Sequence, residues 1–228
     1  QGCTNFKKVD ANAFAMHAHT RPVSNYRPPG DAITIAVISR LSRALDKAAR
    51  AGRLSPGLPI YNTEFGIQTN PPDPYQGGSL AKQAQILNES EEISYRNSRV
   101  RSYAQYLLYD DPAATTGPQF NRFRGFQSGL RFTDGRVKPA HEAFKCPIVV
   151  HKRGSGVLVW GRVRPGNGSR NVALQRRQGS SFVDAGRIAT DSGGYFRVTQ
   201  SSRASYRFRA LDASGGVTCT SRVAAPVA

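Results

Sequence analysis

A chain of 228 residues with 39% hydrophobic content and a net charge of +17 is long enough to bury one large core, or a medium core beside a small one. No apolar run in it approaches the ~20 residues of a membrane-spanning helix, so no membrane span is expected. Cys3, Cys146 and Cys219 lie far apart with no Cys-x-x-Cys spacing, which excludes a zinc site built from cysteine alone.

The odd cysteine count leaves at least one free or paired outside this chain, and the sequence does not say which. The first residue is Gln, so the N-terminus is expected to be processed or cut from something longer. Arginine supplies 25 of the 32 basic residues, scattered singly or in pairs. That reads as a dispersed charged surface rather than a nucleic-acid footprint. Residues 1–148 hold 19 basic and 12 acidic side chains, and residues 149–228 hold 13 and 3.

In chain order, Val9 to Met16 reads as a strand, followed by a loop through His17, His19 and the Pro28-Pro29-Gly30 breaker. Asp31 is the expected N-cap of a helix with Ile33, Val37, Ile38, Leu41 and Leu45 at helical spacing. Gly52 closes that helix. Leu58 to Thr63 is the second strand, and a long polar loop runs from Ile67 to Gly78. Ser79 caps a helix from Leu80 to about Tyr95, with Leu80, Ala84, Leu87 and Glu91 on one stripe. Val100 to Tyr109 is the third strand, ended by Asp110-Asp111-Pro112. A second long loop, a turn at Thr133 to Arg136 and a short helix from Pro139 to Lys145 follow.

Strand and helix thus alternate three times, the pattern of a parallel sheet with crossover helices. Loops after strands are long and loops after helices short, as in a barrel whose function sits on one face. Three units cannot close a barrel of eight strands. Residues 1–147 are therefore expected to be the last three βα units of a larger domain.

From Pro147 the texture changes. Seven short strand candidates lie between Ile148 and Ser221, separated by Gly, Ser and Asn turns. This predicts an immunoglobulin-like β-sandwich over residues 148–228, with Trp160 in its core and a spacer or packing role. The fold class expected for the whole chain is α/β plus all-β.

The candidate site follows from strand ends, where barrels place their catalytic groups. Leu58 to Thr63 runs into Glu64, a lone carboxylate. His17 and His19 stand two apart, on the same side of the chain. They are candidates to hydrogen-bond Glu64 or a substrate. As a metal pair they need a third ligand, and the sequence shows none nearby, so neither metal nor cofactor is expected. Asn62 shares the face of Glu64. Asp110 and Asp111 are candidates for sugar hydroxyls, and Tyr75, Phe120 and Phe126 for stacking on sugar rings.

The run Phe14-Ala15-Met16-His17, the stretch from Leu58 to Gly66, and Gln127-Ser128-Gly129-Leu130 through Lys138-Pro139-Ala140 together resemble the C-terminal half of clan A glycoside hydrolases. These are (β/α)8, or TIM, barrels of cellulase-like and β-xylosidase-like families. The resemblance covers residues 8 to 147 and implies that Glu64 is the nucleophile at the end of strand seven. His17 matches the first residue of the clan's His-x-Tyr, with His19 in place of the Tyr. Gln105 and Tyr106 stand where the clan often has a Trp platform. The clan's acid/base, a Glu after Asn at the end of strand four, has no counterpart, because Asn88-Glu89 falls inside a helix.

A retaining glycosidase needs two carboxyl groups about 5–5.5 Å apart. The resemblance therefore implies a carbohydrate substrate, a missing N-terminal half of the barrel, and no turnover by this chain alone. An extracellular or cell-envelope location is implied by polymer-degrading relatives. The alternative expectation is a non-catalytic glycan-binding or surface protein. Nucleic-acid binding, which would depend steeply on salt, is the weakest.

Overall fold

The computed structural model describes residues 6–227; Cys3 lies outside them. Its α/β part is built on strands β1 (Phe14–Met16), β2 (Ile60–Phe65) and β5 (Val100–Gln105), which form one parallel sheet in the order β1-β2-β5. A two-residue parallel pair, β3 (Thr69–Asn70) and β4 (Gly78–Ser79), lies in the loop after β2. Helices α1 (Ser39–Arg50), α2 (Leu80–Arg96) and α3 (Pro139–Lys145) complete this part.

Each helix begins where local chemistry allows. Ser79 accepts the Lys82 N–H at 3.2 Å, the N-cap bond expected of it. Pro139 occupies the first turn of α3, where its missing N–H costs nothing. Helix α1 departs from expectation, because Asp31 does not cap it. Thr34 is extended and its hydroxyl donates to the Tyr26 carbonyl at 2.7 Å. Arg40 donates to the carbonyls of Pro28, Gly30 and Ala32. These bonds hold the incoming segment out of the helix, which starts through a 3-10 turn at Ile35–Val37. At the far end Gly52 takes φ +70, and the Arg53 N–H reaches back to Ala48 at 2.9 Å.

Strand β2 alternates: Ile60 and Asn62 are buried, Tyr61 and Thr63 exposed. Its buried side packs with Ile38, Leu41 and Leu45 of the α1 region, Ala84 and Leu87 of α2, and Ala140 and Ala143 of α3. The helices therefore cover one face of the sheet. Among the described residues β1 and β5 each keep an unpaired outer edge. Strand β5 ends at Gln105, short of the expected Tyr109. The chain beyond it pairs instead with the 128–131 loop: Leu130 donates to Leu107 and Arg131 to Leu108.

After Pro147 come seven antiparallel strands, where the turn spacing put them: β6 (Ile148–Arg153), β7 (Gly156–Arg162), β8 (Asn171–Gln178), β9 (Ser181–Ala189), β10 (Tyr195–Gln200), β11 (Tyr206–Leu211) and β12 (Val217–Thr220). They form two sheets, β10-β7-β6 and β12-β11-β8-β9. Residues from both sheets, including Ile148, Val159, Val172, Leu174, Phe196 and Phe208, share one apolar core. Gly161 is required there, because a Cβ on it would lie 2.5 Å from the Phe196 ring. The Tyr206 hydroxyl donates to the Ser202 carbonyl at 2.8 Å.

A disulfide between Cys146 and Cys219 ties the end of α3 to β12. Glu91 of α2 accepts from Arg162 at 3.0 Å and Arg164 at 2.5 Å. Asn88 accepts the Ile148 N–H and the Arg222 guanidinium while donating to Ala143. Trp160 is buried, but it packs at this seam, against Tyr95 and Tyr195 with ring centroids 5.7 and 6.0 Å away, rather than inside the β core.

Candidate functional site

Strand β2 is the central strand of the parallel sheet, so its carboxyl end is flanked by the ends of β1 and β5. Strand β2 runs past the expected Thr63 to Phe65, which makes Glu64 its penultimate residue. Its register with β5 shifts between Asn62 and Phe65, and such irregularities re-aim a side chain at a strand end. Phe65 is fully buried against Tyr103, with ring centroids 5.4 Å apart. Glu64 keeps 29% side-chain exposure.

Strand β1 pairs with β2 in parallel, Met16 opposite Asn62. The next residues of β1's chain therefore arrive beside Glu64. His17 Nδ1 lies 3.3 Å from Glu64 Oε2 and His19 Nε2 lies 3.9 Å from the same oxygen. The three ligand-type atoms lie within 4.8 Å of one another. The third ligand that the sequence did not reveal is thus Glu64 itself. Asn62 is fully buried, and its Oδ1 accepts the Ala18 N–H at 3.2 Å. It does not hydrogen-bond Glu64; it fixes the backbone between the two histidines.

The His19 ring stacks on Phe65, 6.4 Å between centroids and 18° between planes. Burial lowers the His19 pKa and outweighs the Glu64 carboxylate, which raises it; His17 lowers it further. His19 is therefore held toward the neutral imidazole. Beside it opens a cavity of about 410 Å³ lined by His19, Arg21, Gly66, Gln68, Phe126 and Ser128 among others, none of the lining residues acidic.

The remaining expected site residues separate into two groups. Tyr106, Phe126, Tyr75 and Phe120 stay near the surface: Tyr106 meets Phe126 edge-on at 5.2 Å, and Tyr75 meets Phe120 at 5.4 Å. Gln105, Asp110 and Asp111 are tied into the framework. Gln105 donates to the carbonyls of Leu107 and Ser128. Asp111 accepts the Phe126 N–H at 2.8 Å.

Asp110 corrects the expectation of a sugar-binding carboxylate, because its side chain has no exposure. It pairs with the equally buried Lys138 at 2.6 Å and accepts the Gly129 N–H at 2.8 Å. Lys138 also donates to Thr69 Oγ1 at 2.8 Å. Burial raises the Asp110 pKa and lowers that of Lys138, each partly offset by the other. This knot joins the loops after β2 and β5 to the segment before α3. Lys138 stands in a stretch that carries the resemblance, but nothing in the sequence pairs it with Asp110.

No protein-family model matches the sequence, and no curated protein sequence does. Among solved structures the chain is similar to a GH5_18 variant from Bifidobacterium longum in complex with Manb1-4GlcNAc, at TM-score 0.36 and 16% identity over 58% of this chain and 29% of that one. It is also similar to a Lactobacillus rhamnosus beta-glucuronidase, at TM-score 0.36 and 18% identity over 58% of this chain and 21% of that one. A third is an FMN-binding beta-glucuronidase from Faecalibacterium prausnitzii, at TM-score 0.34 and 12% identity over 83% of this chain and 30% of that one. The chain spans less than a third of the length of each.

Proposed function

We propose that the chain supplies the nucleophile-bearing part of a retaining glycoside hydrolase that cleaves O-glycosidic bonds in oligo- or polysaccharides. Residues 1–147 would be the last three units of a (β/α)8 barrel, and residues 148–228 an immunoglobulin-like accessory sandwich. One observation carries the reading: Glu64 is next to last in the central strand of a parallel sheet, with two imidazoles at its carboxylate and a cavity lined by one of them, His19. The Tyr206–Ser202 bond supports a Greek-key sandwich, where a tyrosine near a strand start bonds to upstream backbone.

In this reading a Glu64 oxygen attacks the anomeric carbon. The bond to the leaving oxygen breaks, and its electron pair departs with the aglycone. His17 and His19 orient the carboxylate. A poor leaving group needs a proton from a second carboxyl group about 5–5.5 Å away. The resemblance puts the acid/base at the end of strand four, which would lie outside residues 6–227; the His17, His19 and Glu64 cluster itself supplies one carboxylate. The Cys146–Cys219 disulfide supports an extracellular or cell-envelope setting, since disulfides persist in oxidising compartments.

Fluoroglycosides with a dinitrophenolate leaving group test this, because departure of that group needs no acid. A panel of 2-deoxy-2-fluoro sugars should yield a glycosyl adduct on the Glu64 peptide by mass spectrometry, and none with Glu64→Gln. Labelling elsewhere, or turnover of an unactivated oligosaccharide by this chain alone, would sink the reading. The single carboxylate also favours a second reading, a non-catalytic glycan binder. Glycan retention on an array without any Glu64 adduct would select it.

A further inference from the structure

We infer that His17, His19 and Glu64 form a site for a divalent transition-metal ion of the zinc class, and that metal and glycoside compete for Glu64. The competition rests on the reading of Glu64 as nucleophile; the metal site does not. Two imidazoles and one carboxylate are a ligand set that binds Zn²⁺ and leaves a coordination position open. Each ligand comes from the carboxyl end of one of two paired strands, so the sheet itself brings the donors together.

Geometry supports the assignment. Metal–ligand bonds of about 2.0–2.1 Å in a tetrahedral ion set the ligand atoms about 3.3 Å apart. His17 Nδ1 already lies 3.3 Å from Glu64 Oε2, and His19 Nε2 lies 3.9 Å from it, with all three atoms within 4.8 Å. The two imidazoles keep 49% and 39% side-chain exposure, so small rotations can close the remaining gap. The open position would face solvent and the neighbouring cavity. Imidazole donors favour zinc, copper and nickel over magnesium and calcium. An ion held at Oε2 draws electron density from the carboxylate and occupies the space beside it, so Glu64 attacks an anomeric carbon more slowly with the metal bound.

Cobalt(II) absorption, Zn²⁺ competition against a chromogenic chelator, and histidine-ring NMR test the site on the whole chain. One equivalent of metal is expected, shifting the rings of His17 and His19 and not those of His141 and His151. His17→Ala, His19→Ala and Glu64→Gln should each weaken binding by at least about 10-fold, whereas His151→Ala should not. Bound Zn²⁺ should also protect Glu64 from the fluoroglycoside. Absence of stoichiometric binding would overturn the site, as would ring shifts confined to other histidines or full affinity in all three variants. Metal binding without any glycosyl adduct would retain the site and remove the nucleophile reading alone. Labelling of Glu64 at an undiminished rate with the metal bound would remove the competition.

Discussion

From residue 148 onward the interior is mostly apolar: among the described residues the only buried charged, amide or aliphatic hydroxyl side chains are Thr190 and Ser221. The part before it buries Asn62, Gln83, Asn88, Glu89, Glu91, Glu92, Asp110, Gln127 and Lys138. Two facing antiparallel sheets satisfy most of their backbone through their own ladders and can close over a dry core. A parallel sheet with long loops on one end must tie those loops down with side chains. Gln83 alone donates toward the carbonyls of Ile67, Ser128 and Gly129. The polar interior is what holds the ends of β2 and β5 in place, so the part that carries the candidate site is also the part most exposed to loss of a single partner.

The largest expected effect is on the Asp110–Lys138 knot. Lys138→Met leaves a buried carboxylate without its cation and should cost about 3–5 kcal/mol, read by urea unfolding. Hydrogen exchange should rise in the loops after β2 and β5, with β7 and β8 unchanged. A uniform rise across both parts would mean that the knot stabilises the whole molecule rather than the loops it joins. Removing the disulfide by Cys146→Ser with Cys219→Ser should cost about 2–4 kcal/mol, because it closes a span of 73 residues. Glu91→Gln weakens the contact to Arg162 and Arg164 and should cost about 2 kcal/mol. If the seam couples the two parts, calorimetry of this variant should resolve two transitions in place of one. Ser79→Ala removes the α2 cap and should cost about 1 kcal/mol, the smallest of the four.

The same contrast explains what was legible in the sequence. All seven strands after Pro147 stand where the short strand-like runs and the Gly, Ser and Asn turns between them put them, because each ladder is formed from neighbouring or nearby runs. In the α/β part the order of strands and helices was also legible. Helical spacing even put Glu91 on the buried stripe of α2, but its partners Arg162 and Arg164 lie 71 and 73 residues away. Asp110 and Lys138 look like surface charges, and only the fold brings them together. Strand β5 looked longer than it is, because its apolar continuation pairs with the 128–131 loop. For the site, the residues were visible and His17 and His19 were expected near Glu64; that both converge on one oxygen, as a three-ligand cluster, was not. The approach of His17 and His19 to one oxygen of Glu64 depends on β1 lying beside β2, and no local pattern encodes that adjacency.

The lone tryptophan has a consequence of its own. Trp160 completes a triangle of rings with Tyr95, on the helix side of the seam, and Tyr195, on the sheet side, which themselves lie 4.5 Å apart. Its indole emission is therefore a native optical gauge of whether the two parts are docked. A red shift that precedes the loss of helical ellipticity on heating would record the seam opening before either part melts, with no label attached.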